Sequence, residues 1–195
     1  HTNPPWIRSA PLTDVAGSFS TVQRITLAVV CAATAMLMLD IAVVNTALPS
    51  MAREFDASMN SLKWVIDGYT LALATVVLSA GAWADRIGRR RVFVVGALVF
   101  TAASVLCTVA ADIATLNAAR VVQGLGAALL FASSLALLAH AFPGREHRTR
   151  ALAAYGATIG ASFAIGPLLG GVLTDWIDWR AIFVVNIPLG VAMLY

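Results

Sequence analysis

Charged side chains are scarce: 13 Lys or Arg and 10 Asp or Glu amount to 12% of 195 residues, against 59% hydrophobic residues. Soluble domains carry about 25% charged and roughly 45 to 50% apolar residues, so a water-soluble fold could not cover this much apolar surface. Cysteine is nearly absent. Cys31 and Cys107 lie in separate apolar segments, at unlike depths and without metal-ligand spacing, and read as small buried hydrophobes. No His, Cys or Ser constellation for hydrolysis or metal binding is found; His140 and His147 flank a polar loop, so neither an enzyme nor a cofactor is expected. Period-two alternation is missing too, which excludes a membrane barrel.

Six apolar runs, near residues 24–48, 62–84, 92–111, 115–142, 151–174 and 181–195, fill most of the chain, and the mean hydropathy is +0.83. Each approaches or exceeds the ~18 to 20 residues that a helix needs to cross a ~30 Å hydrocarbon core. The expected class is an all-α integral membrane protein. The first run is too long for the apolar part of a secretory signal and lacks an A-x-A-like cleavage site. Residues 1–23, with Pro4, Pro5, Pro11, Asp14 and Gly17, read as a polar leader. His1 at one end and an apolar run reaching Tyr195 at the other lead us to expect further residues on both sides.

The net charge of +3 does not point to nucleic acid, because the basic residues cluster in short stretches between apolar runs. One stretch is Asp85-Arg86-Ile87-Gly88-Arg89-Arg90-Arg91, and another is Gly144-Arg145-Glu146-His147-Arg148-Thr149-Arg150. The alternate loops hold Arg53, Glu54, Asp56 and Lys63, then Asp112, then Asp175, Asp178 and Arg180. The positive-inside rule places the Arg-rich loops and the N-terminus in the cytoplasm of a plasma-membrane protein, with Trp64, Trp176 and Trp179 at the outer interface.

Asp40, Asp67 and Arg120 fall inside the runs, where an ionisable group costs at least about 2.5 to 3.5 kcal/mol. At ~1.5 Å per residue all three lie about 8 Å below the outer surface of the core. Arg120 could pair with a carboxylate merely to neutralise buried charge. Alternatively, two acids around one cation form a proton site, since the acid in excess can bind and release a proton as solvent access alternates.

The segment Gly81-Ala82-Trp83-Ala84-Asp85-Arg86-Ile87-Gly88-Arg89-Arg90-Arg91 resembles the signature loop between the second and third spans of the major facilitator superfamily. A phosphate-binding loop would need a different spacing and a lysine. Gly88 can close the second helix in a left-handed cap, with Asp85 facing nearby arginines. The resemblance implies that Gly81, Asp85, Arg86, Gly88, Arg89, Arg90 and Arg91 latch an inner gate, besides fixing topology.

Leu39-Asp40-Ile41-Ala42-Val43-Val44-Asn45-Thr46-Ala47-Leu48-Pro49 and Trp64-Val65-Ile66-Asp67-Gly68-Tyr69-Thr70-Leu71 resemble the first two helices of the fourteen-span drug/proton antiporters of that superfamily. Ala119-Arg120-Val121-Val122-Gln123-Gly124-Leu125-Gly126-Ala127-Ala128 is similar to the motif whose arginine the family associates with proton coupling. The fifth run, with Gly156, Gly160, Gly166, Pro167, Gly170 and Gly171, resembles the exporters' antiporter helix, although two G-x-x-x-G spacings also serve helix packing. Pro167 removes a backbone donor and presses on the Phe163 carbonyl, so this helix can kink there. Trp179-Arg180 and Asn186-Ile187-Pro188-Leu189-Gly190 continue the likeness into the sixth run. Ala42 stands where relatives usually have Thr, and Ala132 where they often have Pro.

The resemblance implies the N-terminal six-helix bundle of a major facilitator fold, a 3+3 inverted repeat that works with a missing C-terminal half. In that repeat the first and fourth spans face each other across the cavity, so Arg120 is expected to neighbour Asp40 more closely than Asp67, which is left to attract cationic substrate. The implied function is proton-coupled efflux of an amphipathic or cationic small molecule, with protons and the lipid bilayer as partners and no nucleic acid. A proton-coupled uptake symporter is the alternative within transport. A non-transporting membrane scaffold or sensor is the alternative if the natural chain ends here. The topology has a direct test in intact cells, in a background with Cys31 and Cys107 replaced by Ala. Arg89→Cys and Arg148→Cys are expected to resist an impermeant thiol reagent added outside, while Asp56→Cys labels; labelling at either arginine position would invert the topology.

Overall fold

The computed structural model describes residues 19–194. It forms α1 (Thr21–Phe55), α2 (Met59–Ile87), α3 (Arg89–Thr108), α4 (Ile113–Ala141) and α5 (Arg145–Trp176), then, at the place of the expected sixth span, a shorter apolar segment in two pieces, α6 (Ala181–Val184) and α7 (Asn186–Ala192). The first five are long and apolar enough to cross a membrane. Among the described residues there is no strand, and the class is all-α.

The helices run beyond the apolar runs that mark them. With 35 residues, α1 is roughly 50 Å long, so its ends outreach a ~30 Å core into water, where polar residues continue the backbone ladder without cost. Ser20 caps α1 by accepting from the Gln23 amide, and the Gln23 side chain answers with the Ser20 N–H. Helix therefore starts at Thr21, inside the 1–23 leader, of which residues 1–18 lie outside the described part. Arg53, Glu54 and Lys63 are helical too, which corrects their reading as loop residues. Asp112 caps α4, and the Thr115 N–H bound to its carboxylate holds that group below the usual aspartate range.

The two Arg-rich loops shrink in the same way. Between α2 and α3 Gly88 alone is non-helical, at φ 103 and ψ 130, so it closes the joint at a positive φ but outside the left-handed helical basin. At the other loop α5 begins at Arg145, directly after Gly144. Pro167 sits within α5, which is continuous from Arg145 to Trp176.

Packing follows a repeat. α1 packs on α5 and α2 on α4, while α1 meets α4 and α3 meets the sixth span. Exchanging the first, second and third spans with the fourth, fifth and sixth maps these contacts onto one another, and an odd number of spans per unit makes the two units inverted. Small residues let the axes approach. A Cβ on Gly124 would meet the Tyr69 carbonyl of α2, and one on Gly126 would meet the Phe100 backbone of α3. On α5 the two G-x-x-x-G pairs differ: Gly166 and Gly170 press on Ala42 and Thr46 of α1, while Gly156 and Gly160 meet nothing among the described residues. Gly126→Val therefore has no room against backbone atoms. In the full-length protein it should cost about 1 to 3 kcal/mol, read as a lower thermal unfolding midpoint in detergent; an unchanged midpoint would refute the close α3–α4 contact.

Candidate functional site

Asp40 on α1 and Arg120 on α4 meet in the interior, with Arg120 Nη1 2.6 Å from Asp40 Oδ2 and each side chain 1% exposed. Burying the two ions separately would cost several kcal/mol each, so the pair persists only with its remaining valences filled. Nε and Nη1 of Arg120 and both carboxylate oxygens of Asp40 are engaged. Arg120 donates through Nε to the Val65 carbonyl of α2 at 3.0 Å and through Nη1 to Gln123 Oε1 at 2.7 Å. Its guanidinium lies 4.2 Å from the Tyr69 ring centre and 5.7 Å from that of Phe183. Asp40 Oδ1 accepts from Gln123 Nε2 at 3.1 Å and from Asn186 Nδ2 at 2.9 Å. Gln123 also donates to Ser104 Oγ and accepts from Cys107 Sγ, both on α3. One net-neutral network thus joins α1, α2, α3, α4 and α7.

Asp67 stands apart, which corrects the expectation of two acids around one cation. It is exposed, and no ion pair or hydrogen bond links it to Arg120. The reason is rotational. Val65 and Tyr69 form the α2 face turned to Arg120, and at about 100° per residue Asp67 points roughly 200° away from Val65. Its side of the helix borders a cavity of about 370 Å³ between the end of α1 and the start of α2, lined by Leu48, Pro49, Ala52, Met59, Leu62, Lys63 and Ile66.

At the basic end Asp85 pairs with Arg89 at 3.2 Å, and Arg89 Nη1 also donates to the Ala136 carbonyl of α4. Arg86, Arg90 and Arg91 are exposed, and Gly81 faces open space. The carboxylate and the guanidinium are both solvated, so the pair contributes about 0 to 1 kcal/mol and can break readily.

At the opposite end Glu54 receives Arg180 Nη2 at 2.7 Å and the Trp179 indole N–H at 2.5 Å, while Arg180 reaches the Ala110 carbonyl. The guanidinium also lies 4.4 Å from the Trp179 ring, and the Glu54 hydrogen bond holds Arg180 above the ordinary arginine range. This clasp fastens the ends of α1 and α3 to the start of the sixth span. Trp179 is buried among Phe55 and Phe183, so its ring packs inside the bundle, while Trp64 and Trp176 are exposed.

Reasoning from charge in apolar runs found Asp40 and Arg120 but missed the neutral half of the network. Gln123 and Asn186 entered only as letters of motifs, because an amide in a span is not unusual enough to stand out. Their signal was available in register: Gln123 lies three residues after Arg120, on the same helix face.

Three relatives align with most of this chain. It is 40% identical over 168 residues to the drug efflux pump JefA of Mycobacterium tuberculosis, which covers 86% of this chain and 33% of that protein. It is 40% identical over 159 residues to a methylenomycin A resistance protein of Bacillus subtilis, covering 82% and 34%, respectively. It is 32% identical over 171 residues to the riboflavin transporter RibZ of Clostridioides difficile, covering 88% and 37%. The chain thus spans about a third of the length of the curated relatives it matches. The Major Facilitator Superfamily model matches residues 30–195, and with the helical bundle described above the chain belongs to that superfamily.

Proposed function

We propose that residues 19–194 act as the N-terminal bundle of a proton-coupled drug efflux antiporter of the fourteen-span kind. The observation that carries this reading is the Asp40–Arg120 pair, a carboxylate and a guanidinium fully buried in membrane-spanning helices with every neighbour arranged to hold the charged state. Intramembrane ions of this sort are costly and mark ion pathways and proton relays. The relatives named as a drug efflux pump and a resistance protein support efflux as the direction.

In the proposed cycle Asp40 is ionised while paired. Protonation cancels half of the pair, and Arg120 keeps the Val65 carbonyl, Gln123 and the Tyr69 and Phe183 rings, so the grip of α1 on α4 weakens. That change biases the bundle between its two access states. Asp67, on the apolar cavity at the end taken as outer, gives cationic substrates a counter-charge as they leave. The basic cluster from Asp85 to Arg91 latches the cytoplasmic end, with Arg86, Arg90 and Arg91 open to a second bundle. The exposed apolar faces of α2 and α5, including Gly156, Gly160 and Gly171 on α5, are where that bundle packs. A second reading is proton-coupled uptake, since one relative is named as a transporter without a direction, and the direction of flux in vesicles separates the two.

Vesicles bearing the full-length protein test the roles. Asp40→Asn should abolish proton-driven efflux of every substrate. Asp67→Asn should weaken efflux of divalent cations about tenfold, the equivalent of about 1.4 kcal/mol of lost attraction, with little change for neutral compounds. Equal losses for neutral, monovalent and divalent substrates in Asp67→Asn would refute the division of labour. Arg120→Met should lower stability by about 3 to 5 kcal/mol by leaving Asp40 uncompensated, with partial recovery in the double variant Asp40→Asn/Arg120→Met; thermal unfolding in detergent reads both.

A further inference from the structure

Asp40 has three donors, and they are not equivalent. Arg120 cannot accept a proton. Gln123 is locked, because its oxygen already accepts from Arg120 and Cys107 while its nitrogen serves both Asp40 and Ser104. Asn186, 3% exposed, makes one hydrogen bond among the described residues, from Nδ2 to Asp40 Oδ1. Its amide is therefore the one partner of Asp40 able to turn end for end and offer an acceptor in place of a donor.

Two further observations fall at the same residue. A cavity of about 30 Å³ opens beside it, bounded by Asp40 and Val43 of α1, Leu169 and Leu173 of α5, and Asn186 and Leu189 of α7. This is room for about one water, with Asp40 and Asn186 as its polar partners. Asn186 also begins α7, directly after Val185, which keeps helical angles of φ -60 and ψ -30 between α6 and α7. Pro188 supplies no N–H for the Val184 carbonyl, so this turn lacks a ladder bond and yields more easily than its neighbours.

We propose that Asn186 is the positioning residue that carries Asp40 between its ionised and protonated forms. This inference rests on the reading of Asp40 as the proton site. Asn186 donates to the carboxylate through Nδ2. A protonated water entering between α1, α5 and α7 gives its proton to Asp40 Oδ1, where an O–H bond forms and neutral water remains. The amide then turns, and its Oδ1 accepts the new carboxyl proton. The turn at Asn186 passes the change to the sixth span, so that proton binding moves a helix as well as releasing Arg120. Among the described residues, the other charged or titratable groups facing Asp40 are Arg120 of α4, Tyr69 of α2 and Cys107 of α3, while α5 and the sixth span line the cavity with neutral residues.

The test uses the full-length transporter in proteoliposomes, with ethidium as substrate, Asp40→Asn as reference, and two measurements: efflux driven by a pH gradient, and ethidium counterflow without one. Asn186→Leu should lose gradient-driven efflux about tenfold or more and keep counterflow within about twofold, since only coupling is removed. Asn186→Asp sets a second carboxylate against Asp40, so the pair should hold a proton to higher pH, and the midpoint of driven efflux should move about one unit or more toward alkaline. That midpoint decides the matter where Asn186→Leu fails to fold or loses both activities. An unmoved midpoint in Asn186→Asp, or wild-type coupling in Asn186→Leu, overturns the proposal. Loss of coupling in Asp40→Asn alongside those results leaves the proton role of Asp40 standing and removes only that of Asn186. Retained coupling in Asp40→Asn removes both.

Discussion

The bundle is organised around a charge pair that could not exist there alone. An aspartate and an arginine withdrawn from water and lipid lose hydration that their mutual attraction alone does not restore, so each remaining lone pair and N–H must find a partner at a definite place. Those partners come from five further points: the Val65 carbonyl, Gln123, Asn186 and the Tyr69 and Phe183 rings. Because they sit on different helices, satisfying the pair fixes the depth and rotation of α1, α2, α4 and α7 together. An apolar bundle in lipid has little else to set such registers, since sliding one greasy helix past another changes few contacts in kind.

Small residues make that geometry reachable. Gly124 and Gly126 bring α4 against the backbones of α2 and α3, which puts the Arg120 guanidinium within reach of the Val65 carbonyl and leaves Gln123 facing Ser104. Gly166 and Gly170 do the same for α5 against α1, on the flank where the small cavity beside Asp40 lies. Close packing and polar chemistry are thus one design, because the network spans a few ångströms and would be cut by a single interposed side chain.

The two ends are held differently. The clasp of Glu54, Arg180 and Trp179 is multivalent and partly buried, and it pins the start of the sixth span to α1 and α3. The Asp85–Arg89 pair at the other end is solvated and joined by a one-residue link at Gly88. A bundle firm at one end and loosely held at the other suits proposed rocking, with the weak turn before Pro188 as an internal point of give.

By itself the sequence determined the class, the order of the long apolar helices, the location of the basic clusters and the identity of the two ions that meet. Each follows from a one-dimensional quantity, either apolar length or position along a helix axis, which the membrane thickness converts into depth. Asp40 and Arg120 were legible because charge in a long apolar run is rare and because counting residues places them at one level. Helix ends were less legible: Thr21, Glu54 and Arg145 are helical beyond the apolar runs, since a backbone ladder continues into water wherever side chains allow. Rotation about the axis was decided only by tertiary structure. Lipid-facing and core-facing positions are both apolar, so α2 gives no stripe from which its phase can be read. The sequence could therefore set Asp67 level with Arg120 and still not tell that it points the other way, or that Asn186 and Gln123 close the network from sites that look like ordinary polar residues in a span.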